Sequence, residues 1–70
     1  METDQLITMI GLNIKKQREL KKMLQVDLAA KCNMEVTALS RIENGNTNPT
    51  IGTLNKIALS LEIEVKEIIP

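Results

Sequence analysis

Apolar positions recur along this chain with a helical period. Ile7, Ile10 and Ile14 fall at i, i+3 and i+7, one face of a helix. Thr3 or Asp4 is placed to cap that helix, and the pattern carries it to about Lys21, where Leu20, Met23 and Leu24 form an apolar cluster. A second short helix is predicted over Gln25–Lys31, with Leu28, Ala29 and Cys32 inward. Asn33 stops it, since Asn tolerates the left-handed backbone a helix C-terminus often needs. A third helix, about Val36 to Glu43, carries Leu39 and Ile42 one turn apart and ends at Asn44-Gly45 for the same reason. After a polar loop closing at Pro49, Thr50 caps a fourth helix with the stripe Ile51, Leu54, Ile57, Ala58 and Leu61. Leu61–Val65 alternates with period two, yet a lone strand has nothing to pair with. The tail therefore reads as a turn at Glu62–Glu64 and a last short helix through Ile68. The expected fold is all-α, a compact five-helix bundle forming one domain over residues 1–70.

Composition narrows what such a bundle does. Seventy residues suffice for one small core, and 43% apolar with 26% charged residues is ordinary globular usage. There is no His, no aromatic residue and a single Cys. That excludes an internal disulfide and a structural zinc site, and most acid–base or nucleophilic catalysis. The chain is read as a non-enzyme without metal or cofactor. Lacking aromatics, it has no stacking platforms for single-stranded nucleic acid. No apolar run reaches the roughly 18–20 residues of a membrane span and no signal peptide is visible, so a cytoplasmic binding module without a membrane partner is expected. Cys32 reads as a small buried apolar residue rather than a redox sensor, and Met1, Met9, Met23 and Met34 as gap-fillers.

Charge is balanced in total, nine Lys+Arg against nine Asp+Glu, which argues mildly against a nucleic-acid partner. Its distribution changes that picture. Lys15, Lys16, Arg18, Lys21 and Lys22 crowd one segment, whereas Glu2, Asp4, Glu62, Glu64 and Glu67 lie toward the ends. Such a run is ordinarily a solvated helix face, but a local positive field favours phosphate even when the total is zero.

The segment Gln25–Glu43 is the most informative. Two short helices that cross steeply need a small residue where their axes approach, and Ala29 supplies it. They need a left-handed residue in the turn, which is Asn33, and apolar anchors on the second helix, which are Leu39 and Ile42. This is the helix-turn-helix pattern, whose second helix fits a major groove about 12 Å wide.

With Ile10-Gly11, Ile14, Arg18, Gln25, Leu28-Ala29, Ile42-Glu43, Gly45, Asn48-Pro49, Leu54, Ile57-Ala58 and Leu61 in register, the chain resembles the lambda-repressor/Cro-like helix-turn-helix family, also called the xenobiotic-response-element family of bacterial regulators. The resemblance spans most of the chain without an insertion. It implies a five-helix domain that binds duplex DNA sequence-specifically, usually as a dimer, and controls transcription. It implies base contacts from Val36, Thr37, Ser40 and Arg41, with Ala38 nearby. It implies phosphate contacts from Gln25, Asn44, Asn46, Thr47 and Asn48, and Lys16 and Lys21 are candidates to join them. Side-chain chemistry agrees: Arg41 is able to chelate guanine O6 and N7, while Thr37 and Val36 suit thymine methyls. By the same resemblance Arg18 and Glu43 form a structural ion pair between the first and third helices. Three positions depart from the family pattern. Leu24 and Glu35 stand where Ser or Thr usually caps, and Lys22 where Gly commonly ends the first helix.

The expected function is a transcriptional regulator, a restriction–modification controller or phage-type repressor, acting as a homodimer on a palindromic operator. Ile63, Val65, Ile68 and Ile69 are the candidate dimer seam, because so small a chain has little room to bury them all. No sensor segment follows Pro70, so no small-molecule effector is indicated. Two other readings stay open. One is an antitoxin that binds DNA and a toxin; the other is a helical protein-interaction module without DNA binding.

Overall fold

Backbone geometry at the helix ends decides where this chain bends. The computed structural model describes residues 2–70, so Met1 lies outside it. Helix α1 spans Thr3–Leu20, α2 Gln25–Lys31, α3 Val36–Glu43 and α4 Ile51–Leu61. All four end alike. Lys22, Asn33, Gly45 and Glu62 adopt φ of 57°, 55°, 72° and 59°. Each next residue donates its N–H five residues back: Met23 to Arg18, Met34 to Ala29, Asn46 to Arg41 and Ile63 to Ala58, at 2.9–3.1 Å. This is the Schellman closure, which satisfies orphan carbonyls and reverses the chain.

Helix starts are less uniform. Thr50 caps α4, its Oγ1 accepting from the Thr53 N–H at 3.1 Å. Helix α1 is capped by Glu2 rather than Thr3 or Asp4: the Glu2 carbonyl accepts from the Leu6 N–H, and Gln5 Oε1 accepts from the Glu2 N–H. Leu24 has no side chain with which to cap α2. Instead Asp27 reaches back, its Oδ2 accepting from the Leu24 N–H at 2.9 Å. Glu35 precedes α3 in an extended conformation and makes no side-chain cap.

The fold is all-helical, as expected, with one correction. In place of a fifth α-helix the tail forms a single 3-10 turn, Val65–Glu67. Glu62 ends α4 in the left-handed conformation, and Pro70 has no N–H to extend a new ladder. Glu64 between them is extended, so the chain coils again only over Val65–Glu67. Asn13 of α1 donates to the Ile68 carbonyl at 2.7 Å and fixes that turn on the body of the protein.

The core is formed by Ile10, Ile14, Leu28, Ala29, Cys32, Leu39, Ile42, Leu54, Ile57, Ala58, Leu61 and Ile68. Ile68 is fully buried, so it is a core residue and not part of a dimer seam. Ile63, Val65 and Ile69 are half-buried against the same core. Conversely Leu20, Leu24 and Ile51 are exposed: they overhang the ends of their helices, beyond the reach of a neighbour. Helices α1 and α3 approach closely at Gly11. A Cβ there would stand 2.7 Å from the Glu43 carbonyl oxygen and nearer still to that of Ile42.

Candidate functional site

Helices α2 and α3 meet over Ala29, which is buried, and are joined by the left-handed turn at Asn33. Inward, α3 presents Leu39, Ile42 and Glu43. That leaves Thr37 and Arg41, four residues apart, as one exposed ridge, with Val36 and Ser40 as the ridge beside it. Val36 is exposed; Ser40 is half-buried, and its Oγ accepts weakly from Asn44 Nδ2 at 3.4 Å.

What holds this face is a buried polar cluster. Arg18 donates from Nε to Glu43 Oε2 at 2.8 Å and from Nη2 to Oε1 at 3.0 Å, and from Nη1 to the Met23 carbonyl at 2.7 Å. Gln25 Nε2 adds a third donor to Glu43 Oε1 at 3.0 Å. Glu43 therefore ties together α1, α2 and α3. Its hydrogen bonds and charge hold the Arg18 guanidinium above its ordinary pKa, against the opposing effect of burial. Gln25 is half-buried and turned toward Glu43. Its remaining amide hydrogen and carbonyl oxygen make no bond among the described residues.

Asn44, Asn46, Thr47 and Asn48 are all exposed on the loop after α3. A shallow groove of about 310 Å³ brings Arg41 beside Thr47 and Asn48, with Met34, Ala38 and Pro49 in its floor and walls. The structure thus collects Arg41 and the polar loop at one place. Lys16 is exposed on α1, and Lys21 borders a different groove that it shares with Asp27, Lys31 and Glu62. Neither Lys16 nor Lys21 lines the groove that holds Arg41.

Two contacts escaped the sequence reading. The Asp27 cap has a signal, an acid three residues after the residue preceding a helix, half of a capping box. The bond from Asn13 to Ile68 spans 55 positions and has none. Among the described residues no group of His, Cys, Asp or Glu could hold a metal ion, and no helix is long and apolar enough to cross a membrane.

Comparison with known proteins places this geometry. A helix-turn-helix family profile matches residues 14–68. The immunity repressor protein of Bacillus phage phi105 is 38% identical over 60 residues, covering 86% of this chain and 42% of that protein. The ImmF control region 10 kDa protein of the same phage is 36% identical over 56 residues, covering 80% of this chain and 62% of that one. This chain spans about half the length of those two relatives. Among solved structures, the restriction-modification controller protein C.AhdI from Aeromonas hydrophila superposes with a TM-score of 0.87 at 24% identity, covering 90% of this chain and 96% of that one, a likeness of fold. The controller protein C.Esp1396I, solved as a tetramer with its natural 35 base-pair operator, gives a TM-score of 0.80 at 38% identity over 90% of this chain and 93% of that one.

Proposed function

The chain belongs to the helix-turn-helix family, and from that premise we propose that it is a transcriptional regulator that binds duplex DNA sequence-specifically as a homodimer on a palindromic operator. One observation carries the reading. Helix α3 is clamped from behind through Glu43 and leaves Val36, Thr37 and Arg41 facing solvent, the arrangement required of a helix that enters a major groove. The operator complex of C.Esp1396I and the phage repressor relative support it.

On this reading Val36, Thr37, Ser40 and Arg41 read base edges. Asn44, Asn46, Thr47 and Asn48 hold the neighbouring phosphate, assisted by the free amide hydrogen of Gln25. Lys16 and Lys21 contribute to the field felt by the backbone. Two copies would place their α3 helices in successive major grooves, roughly 34 Å apart. The seam uses Ile63, Val65 and Ile69, together with Leu59 and Ile51, which stand two turns apart on one flank of α4 and are 68% and 69% exposed.

Selection from random duplexes tests the function directly. Enrichment of a palindrome, with affinity falling steeply as salt rises, is the expected result. If no duplex is enriched even at low salt, the helical interaction-module reading takes its place.

A further inference from the structure

We propose that Glu35 is a specificity-determining residue that reads an exocyclic amino group, cytosine N4 or adenine N6, in the major groove; this rests on the function proposed above. A carboxylate at the entrance of a DNA-reading helix is at first sight only repulsive. Its surroundings point elsewhere. Between Leu24 and Thr50 the chain carries three acids, Asp27, Glu35 and Glu43. Asp27 is occupied at the Leu24 N–H and Glu43 by Arg18 and Gln25. Glu35 alone has no side-chain hydrogen bond or ion pair among the described residues, and it is exposed. It does not cap α3, so its oxygens are free.

Position supplies the second half of the argument. In a helix-turn-helix complex the N-terminal residues of the recognition helix reach the base edges. Glu35 immediately precedes Val36 and lies six residues from Arg41, about 9 Å along the helix axis. It would therefore meet a different base pair from Arg41. The major-groove donors are the amino groups of cytosine and adenine, and a carboxylate accepts from them. At guanine or thymine the same carboxylate faces acceptors and loses its water without replacement. Discrimination then comes from a penalty on wrong sequences as much as from a gain on the right one.

The test compares wild type, Glu35→Ala and Glu35→Gln in the random-duplex selection, followed by affinity measurements on single-base variants of the enriched site. Wild type is expected to prefer cytosine or adenine at one position per half-site by roughly five- to tenfold. Glu35→Ala flattens that position alone and strengthens binding to random DNA. Glu35→Gln moves the preference toward adenine, which an amide pairs through N6 and N7. If Glu35→Ala instead strengthens binding to every duplex by one factor and leaves their ranking intact, the residue only repels and the proposal is wrong. Loss of helicity by circular dichroism in Glu35→Ala would make it a structural residue and overturn the proposal equally. Failure of the wild type to enrich any duplex rejects the proposed function itself, a separate outcome.

Discussion

Glu43 accepts three hydrogen bonds from two residues that lie on other helices, and it is almost wholly buried. A buried ion pair of this kind adds little net stability, but removing one partner strands the other charge. Glu43→Gln should therefore destabilise the fold by about 3–5 kcal/mol, a large share of the ~5–15 kcal/mol typical of a domain, as read by urea denaturation. Arg41 makes the opposite case. It is exposed and carries no side-chain hydrogen bond or ion pair among the described residues, so Arg41→Ala should leave the urea midpoint unchanged. Its expected effect is on discrimination, a loss of about 1–3 kcal/mol at one base pair per half-site, measured on single-base operator variants. Should the ranking of sequences survive Arg41→Ala, the base-reading register assigned to α3 is wrong.

The four helices share one way of ending, and only α3 uses glycine for it. Lys22, Asn33 and Glu62 hold the left-handed conformation with side chains in place. Asn tolerates this region; for Lys and Glu it is strained by roughly 1 kcal/mol or more. Lys22→Gly and Glu62→Gly should each raise stability by roughly 0.5–1 kcal/mol, the strain relieved exceeding the extra freedom glycine has in the unfolded chain. A thermal melt that falls for both variants would show that these ends are held by side-chain contacts and not by backbone conformation alone. At the same scale, α1 is more than a support for the pair that follows it. With glycine at position 11, the α3 carbonyls of Ile42 and Glu43 approach the α1 backbone, and Arg18 grips Glu43 two turns further on.

For the molecule as a whole the open surface is apolar in places and basic in others. Leu59 and Ile51 stay exposed while Ile68 is sealed inside, so an acidic substitution has opposite meanings at the two places. Leu59→Asp should keep the fold and convert the proposed dimer to monomer in sedimentation; a persistent dimer would move the seam elsewhere. Ile68→Asp should unfold the chain, because it puts a charge into a fully buried site. On the proposed function, balanced charge bears on how tightly the protein would hold random DNA. Lys21 lies in a groove with Glu62, and Glu35 sits at the start of α3, so non-specific affinity should be modest.

Much of this was legible in the residues. Asn33, Asn44-Gly45 and Thr50 act on backbone within a few positions of themselves, and the ends of α2 and α3 and the start of α4 follow from them. Resemblance paired Arg18 with Glu43; that Gln25 turns to the same carboxylate is shown only by the packed helices. Periodicity marks which face of a helix is apolar, but it does not say which turns find a neighbour. Ile51 and Leu24 matched the pattern and ended in solvent, while Ile68 at the tail ended in the core. Gly11 carried the resemblance without a stated reason, and the reason is visible only once α3 lies across it. Helices α2, α3 and α4 and the stops of the first two belong to the sequence, because local conformation and spacing determine them. Which apolar residues are covered, where the tail docks and which acid remains free were decided by how the helices cross, since contacts between distant positions exist only once the chain is packed.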